Sequence, residues 1–446
     1  MADLMQRRLA AREIFGDALR AVDAGAAVRR AVQFNGTALS VGNLKKSNRC
    51  IYAIAFGKAA TMMATALDQI MGESLTAGLL VEPARLTFDY KPALPKPWLC
   101  CTGGHPLPTY QSLFAAERAL ELLDRANAEH ALVIFLISGG GSAMIEWPIN
   151  PDITLANLRM ANELLVGCGA SISEINTVRR AFSFLKGGRL AEKVPNCEQL
   201  TLIVSDVLSG EEWDVASGPT WSPPADAPPA SDVVERYELR ERLPASIMRA
   251  IENATRFSQP HNVRQHHFVL LDNETALQAA ANAARERGFA TEIAHDITDE
   301  PIEVGCEKLL TRLNELQNRH PHANVCLISG GEFACPVRGE GMGGRNSETA
   351  LRLALAVDKD RERYKEFVAL CAGTDGIDGN SLAAGALADS TTIERARDMN
   401  LDVSDFLDNS ASAALFEVLE DAIETGLTGT NVRDVRILLS APHKVK

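Results

Sequence analysis

Ala131-Leu132-Val133-Ile134-Phe135-Leu136-Ile137-Ser138-Gly139-Gly140-Gly141-Ser142 is an unbroken apolar run closed by a serine and three glycines. No polar residue alternates with the apolar ones. That is the pattern of a strand covered on both faces, as in a parallel sheet packed between helices. Outward from it, Ile51-Tyr52-Ala53-Ile54-Ala55 is a second such run, closed by Gly57, and 59–70 reads as a helix. Leu202-Ile203-Val204 is a third, followed by Ser205-Asp206. Strands alternating with helices predict a layered α/β fold. Residues 3–34 read as an amphipathic helical start. Residues 217–230, SGPTWSPPADAPPA, carry five prolines and interrupt regular structure. A second series then follows: strand 267–271, helix 274–287, strand 292–294, helix 303–319, strand 324–328, helix 347–357 and strand 366–370. We therefore expect two domains, 1–236 and 237–446.

A chain of 446 residues suits two domains. With 46% hydrophobic and 23% charged residues it has an ordinary globular composition. The formal charge of −13 argues against a nucleic-acid partner, which favours a basic face. Nine cysteines without a C-x-x-C read as free thiols in a reducing compartment. No signal-peptide pattern and no run of 18 apolar residues is present. The expected setting is the cytoplasm, without a membrane partner; a homodimer is left open.

Glycines directly after buried strands mark where ligands bind, beyond the carboxyl ends of the strands. The loop Ser138-Gly139-Gly140-Gly141-Ser142 is suited to cradle phosphate or carboxylate oxygens with its amides, or is simply a tight connection. Lys58 sits at a helix start, where a cation is unfavourable unless an anion joins it. Ser329-Gly330-Gly331-Glu332 repeats the Ser-Gly-Gly ending, and Gly339-x-Gly341-x-Gly343-Gly344-Arg345-Asn346 follows it. Arg345 there has the planar fork to grip an anion, unless the stretch is a hinge with a solvated arginine. Gly373-Thr374-Asp375-Gly376-Ile377-Asp378-Gly379 offers two carboxylates to a hard cation such as Mg²⁺, or is an ordinary turn. Asp206 is a further base or metal candidate, and His105, in a rigid Gly-Pro-rich loop, is a candidate contact. No G-x-x-x-x-G-K-[ST] and no G-x-G-x-x-G opens the first strand, which weakens a nicotinamide reading.

Together these stretches resemble the class II glycerate kinases, whose C-terminal part is called the MOFRL domain. The matching segments are 55–60 (AFGKAA), 103–108 (GGHPLP), 137–143 (ISGGGSA), 176–180 (NTVRR), 185–188 (LKGG), 205–207 (SDV), 216–220 (ASGPT), 329–332 (SGGE), 343–348 (GGRNSE), 373–379 (GTDGIDG) and 428–434 (TGTNVRD). The resemblance implies a Rossmann-like N-terminal domain, a smaller MOFRL-type C-terminal domain and a cleft between them. It implies phosphorylation of D-glycerate at the 2-hydroxyl by ATP with Mg²⁺. Lys58 and Arg345 would be the principal catalytic cations, and Asp206, Glu332 and Asp375 acidic participants. The glycine-rich loops, with Ser138, Ser142 and Asn346, would bind substrate or nucleotide, and Asp375 and Asp378 would hold the metal. Two positions depart from the family pattern: Leu382 stands where an aspartate is common, and Ala181 where a histidine is. The alternatives carried beside the kinase are a hydroxypyruvate reductase and a non-catalytic binder of small anions.

Overall fold

The computed structural model describes residues 2–84, 94–254 and 264–442. The chain divides into two compact units, one of 24–271 and one of 1–23 with 272–446. Each has its own six-stranded sheet.

In the 24–271 unit the strands lie in the order Trp98–Gly103, Ala77–Pro83, Ile51–Phe56, Leu132–Ser138, Glu198–Val204, Gln265–Leu271. All five pairings are parallel. Numbered along the chain this is 3-2-1-4-5-6, the doubly wound order. The central strands Ile51–Phe56 and Leu132–Ser138 are buried at every position, as their unbroken apolar runs predict. Their register sets Phe56 against Ile137, so both end at one edge of the sheet. Phe56, Phe135, Ile137 and Leu123 lie in the core cluster of this sheet. A second cluster joins Leu158, Val178 and Phe182 to Val234, Ile247 and Ile251. A small antiparallel sheet of Val32–Phe34, Leu39–Val41 and Leu44–Lys46 completes the unit.

The other sheet is mixed. Its order is Ala290–Ile293, Val325–Gly331, Asp434–Ser440, Val368–Gly373, Gly385–Asp389, Ala422–Ile423, and only the first pair is parallel. The last long strand, Asp434–Ser440, thus sits in the middle and runs against both neighbours. Asp434 is in register with Gly331 on one side and Gly373 on the other, so three strand ends converge there. The N-terminal helix Ala2–Ala21 belongs to this unit. Its Arg8 bridges the buried Asp389 and Asp421.

These units differ from the expected domains. The division falls after Leu271, not near 236, and the strand assigned to the second series pairs with Glu198–Val204 as the edge of the first sheet. The cause is packing. Helix Ala245–Glu252 gives Ile247 and Ile251 to the same cluster as Phe182. The proline-rich segment folds back onto the edge strand: Trp221 stacks on His267 at 4.4 Å, and the His267 ring bonds the Thr220 carbonyl at 3.0 Å. The helical start, in turn, is two helices, Ala2–Ala21 and Ala24–Ala31, one in each unit.

Candidate active site

The strands Ile51–Phe56 and Leu132–Ser138 flank the point where the strand order reverses, the place beyond whose carboxyl ends open α/β sheets bind ligands. Gly57 has φ +113°, and a Cβ on it would lie 2.4 Å from both the carbonyl oxygen and Oγ of Ser138. Only glycine permits that approach. The approach lets the Lys58 amide donate to the Gly139 carbonyl at 2.9 Å and the Ala59 amide to Ser138 Oγ at 2.9 Å. Ser138 is fully buried, so its hydroxyl shapes the loop. Gly140, at φ +77°, precedes the short helix Gly141–Met144. A Cβ there would sit 3.2 Å from Lys58 Cγ and 3.3 Å from His105 Cε1. Lys58 and His105 therefore both pack beside Gly140 of the glycine loop. Asp206 lies partly exposed just beyond the adjacent strand Glu198–Val204, at the same sheet edge.

Behind this loop runs a buried polar chain. Ser142 Oγ lies 2.9 Å from Ser217 Oγ, and Ser217 bonds Asn176 Oδ1 at 2.8 Å. Asn176 Nδ2 donates to Asp214 Oδ2 at 2.9 Å, and Asp214 takes Arg180 on its other oxygen at 2.5 Å. Burial pushes the Asp214 carboxyl up to about 6, against the pull of Arg180. Burial likewise lowers Arg179, to about 10; its Nε donates to Asn162 Oδ1 at 2.8 Å. Ala216 and Ser217 have φ +53° and +66°, uncommon for side-chain-bearing residues. They are held there from outside, by Gly187 N–H on the Ser217 carbonyl at 3.1 Å and Gly188 N–H on the Gly218 carbonyl at 2.7 Å. The segments LKGG and ASGPT are thus one stitched element. The buried pair Lys186 and Glu146, with Ser183 bonded to Glu146 at 2.6 Å, lies in the same unit.

In the other unit Arg345 opens helix Arg345–Asp358. Its Nε and Nη2 donate to the two oxygens of Asp434 at 2.6 and 3.1 Å, and Nη2 reaches Glu332 at 2.9 Å. Burial alone would lower Arg345, yet Asp434 and Glu332 hold it well above the ordinary value. Burial would raise Asp434, but Arg345 keeps it below the usual carboxylate range. Beneath them Arg436 is buried, donating to Ser329 Oγ at 2.9 Å and the Gly331 carbonyl at 3.1 Å, with its guanidinium 3.5 Å from the Phe333 ring centre.

Several expected ligands in this unit are already engaged. Gly330 and Gly331 are strand residues, and the Gly331 amide donates to Asn273 Oδ1 at 3.1 Å. The amides of Gly341, Gly343 and Gly344 are taken by the Asn409 carbonyl, Asn380 Oδ1 and Ser347 Oγ at 2.8, 2.8 and 3.2 Å. This loop is tied down by its own unit and is not an open nest. Asp378 is buried and accepts from the Asn346 and Ser347 amides at 2.9 and 2.8 Å and from the Ser347 hydroxyl at 2.7 Å. It satisfies the start of the helix, a capping role in place of the expected open metal ligand. Asn346 is buried beside it. Asp375 is partly exposed, and its Oδ1 accepts from Ile377 N–H at 3.1 Å. A cavity of about 250 Å³ is lined by Phe333, Pro336, Gly343, Gly344 and Arg345, among others. Among the described residues no group of three or more His, Cys, Asp or Glu is placed to hold a metal ion. Of the two departures, Leu382 is 84% exposed, and Ala181 is buried in the helical cluster.

Sequence reasoning missed Asp434, Asn273, Asn176 and Ser217 as site-building residues. Asn273 ties the Val432 and Asp434 carbonyls at 2.7 and 3.0 Å to Gly331. The only signal for Asp434, Asn176 and Ser217 was their place inside the motif segments TGTNVRD, NTVRR and ASGPT.

One unit is doubly wound with a lysine at its switch point, the other is a mixed α/β unit whose arginine is locked between carboxylates, and together they define a two-unit α/β protein. Residues 10–252 match the family described as "Domain of unknown function (DUF4147)", and 325–434 match the "MOFRL family". The chain is 32% identical to the "Glycerate 2-kinase" of Pyrococcus horikoshii, over 96% of each chain. It is 34% identical to the "D-glycerate 2-kinase" of Thermotoga maritima, over 87% of this chain and 90% of that one. A crystal structure of a glycerate kinase from Thermotoga maritima aligns with a TM-score of 0.77 at 31% identity, covering 98% of this chain and all of the other. The chain belongs to the glycerate 2-kinase family, built of DUF4147 and MOFRL regions.

Proposed function

We propose that the protein transfers the γ-phosphoryl group of ATP to the 2-hydroxyl of D-glycerate, giving 2-phosphoglycerate and ADP. Phosphoryl transfer asks a protein mainly to position two anions and neutralise charge on the transferring oxygens. In a chain of net charge −13 that work must be local. The observation that carries the reading is Lys58 packed against the Gly139-Gly140-Gly141 loop at the switch point of the 24–271 unit. Lys58 supplies charge, and the glycines of the loop let backbone amides approach an anion closely. Arg345 offers a second cation, held in one orientation by Asp434. Asp206, just beyond the end of the neighbouring strand Glu198–Val204, is the candidate to accept the proton of the 2-hydroxyl.

Mg²⁺ ordinarily takes one or two carboxylates and completes its shell with phosphate oxygens and water, so it does not need a three-carboxylate cluster. The partly exposed Asp206 in one unit and Asp375 in the other are each a carboxylate of that kind; Asp378, spent on the helix start, fits it less well. Bound with the nucleotide, the ion would neutralise phosphate charge. The strand order is shared with dinucleotide-binding folds, but the first loop reads Phe56-Gly57-Lys58-Ala59-Ala60 and lacks the second and third glycines of that fingerprint. The nine free cysteines support a cytoplasmic setting, and no helix among the described residues is long and apolar enough to cross a membrane.

Purified protein with ATP, MgCl₂ and D-glycerate should form 2-phosphoglycerate, identified by phosphorus NMR, and a chelator should abolish it. A 3-phosphate product would keep the kinase and overturn the regiochemistry. Oxidation of NADH or NADPH with hydroxypyruvate, without ATP consumption, would sink the kinase reading.

A further inference from the structure

The chain Ser142, Ser217, Asn176, Asp214 has a direction, and the direction is fixed at its buried end. Asp214 is 1% exposed and Arg180 2%. An ionised carboxylate only accepts, so the Asn176 group facing Asp214 is the amide nitrogen, at 2.9 Å. A guanidinium only donates, and Arg179 Nη1 lies 3.3 Å from the other Asn176 atom, so that atom is the carbonyl oxygen. Both neighbours set the same orientation of the amide. Asn176 Oδ1 carries no hydrogen, hence the bond at 2.8 Å uses the single proton of Ser217. Ser217 Oγ has then nothing left to donate, and the bond at 2.9 Å to Ser142 must use the single proton of Ser142.

Ser142 therefore reaches the glycine loop with its proton turned inward and only lone pairs outward. It is half-buried, whereas Ser217 and Asn176 behind it are 1% and 3% exposed. A lone-pair-only oxygen repels a phosphate or carboxylate oxygen. It receives a hydrogen from a donor, and the Lys58 cation, packed beside Gly140, favours that donor being a hydroxyl carried on an anion. We propose that Ser142 Oγ accepts the hydrogen of a hydroxyl on the hydroxy-acid substrate, and that Ser217 and Asn176 are positioning residues that hold it as an acceptor. This rests on the kinase reading and gives Ser142, expected only to bind substrate or nucleotide, a defined role as acceptor. It gives the loop a division of labour: amides and Lys58 face anionic oxygens, and Ser142 takes the acid's alcohol.

The test compares KM for D-glycerate with the inhibition constants of 3-hydroxypropanoate, which lacks the 2-hydroxyl, and of lactate, which lacks the 3-hydroxyl. A site built to bond a hydroxyl loses about tenfold or more when the bond is removed. In Ser142→Ala, KM for D-glycerate should rise about tenfold, and so should the constant for one analogue. The constant for the other should stay as in the wild type, and that analogue names the hydroxyl. KM for ATP should not change. Ser217→Ala frees the Ser142 proton to point outward, so inhibition by inorganic phosphate should become tighter than in wild type, a gain that a merely structural role for Ser217 would not produce. Equal loss for D-glycerate and both analogues in Ser142→Ala, a change confined to ATP, or unchanged phosphate inhibition in Ser217→Ala each overturns the assignment. Mn²⁺ rescue of a Ser142→Cys variant would make the ligand a metal ion and overturn it too. A wild type without ATP-dependent turnover of D-glycerate removes the kinase reading itself, an outcome distinct from failure of the variants.

Discussion

Asp434→Asn tests what holds Arg345. The carboxylate is 1% exposed and meets the guanidinium through two bonds of 2.6 and 3.1 Å. Two unit charges about 3 Å apart attract by about 5 kcal/mol at an effective dielectric constant of about 20. The Arg345 side chain is 35% exposed, so solvent screens part of this, and Glu332 remains on Nη2 after the substitution. Breaking a buried pair by removing one charge costs about 3–5 kcal/mol, and the low end applies here, about 3 kcal/mol. The new amide also turns an N–H toward a guanidinium N–H. All four tryptophans, Trp98, Trp147, Trp213 and Trp221, belong to the 24–271 unit, so tryptophan fluorescence does not report on this site. The assay is amide hydrogen exchange in the strands Asp434–Ser440 and Val368–Gly373. A loss of about 3 kcal/mol corresponds to exchange faster by about 10²-fold, with the fluorescence transition unmoved. Turnover should fall as Arg345 shifts onto Glu332. With Arg345→Gln as the second arm of a double-mutant cycle, the double variant should be less destabilised than the sum by at least about 1 kcal/mol. Wild-type exchange in Asp434→Asn, with an additive cycle, would show that the pair does not hold the arginine.

Two further substitutions separate chemistry from architecture in the 24–271 unit. Lys58→Ala should lower kcat by about 10²–10³-fold, the loss seen when one preorganised electrostatic contact is removed, and leave the unfolding midpoint by tryptophan fluorescence unchanged; near-normal turnover would take Lys58 out of the mechanism. Gly57→Ala should do the opposite. A methyl 2.4 Å from the Ser138 carbonyl at φ +113° should lower the midpoint by an amount equivalent to about 2–4 kcal/mol, and an unshifted midpoint would show that the loop opens without cost.

The first sheet was legible because its central strands are buried on both faces, which forces the unbroken apolar runs 51–55 and 131–137. Its edge was not. Gln265–Leu271 is mostly half-buried, with an exposed Val269, and its partner is fixed by the stacking of Trp221 on His267, across 46 positions of chain that no local pattern spans. The same blindness placed the domain boundary at the prolines. Proline ends helices and strands, but it does not say whether the chain returns to the sheet it left. Here it returns, carrying helix Ala245–Glu252 into the core of the first unit.

Local backbone requirements leave a mark in sequence, and long-range polar partnerships do not. Gly57 and Gly140 were readable because close approach and positive φ exclude other residues at those places, whatever lies elsewhere in the chain. Arg345 was readable as a cation at a helix start. What makes it a fixed cation is Asp434, 89 positions later, brought alongside only because the last strand inserts between Val325–Gly331 and Val368–Gly373. An identical aspartate in a surface loop would look the same in the sequence. The same holds for the amides of Gly341, Gly343 and Gly344: glycine richness predicts an open nest or a tied loop equally well, and the partners Asn409, Asn380 and Ser347 decide for the tied loop. In the 24–271 unit the direction of the Ser142 chain is set by Arg179 and Asp214, neither of which touches Ser142. The chemistry offered at the loop is thus determined three bonds away from it. Substitutions at Asn176 or Ser217 therefore belong with those at Lys58 when the origin of substrate preference is sought.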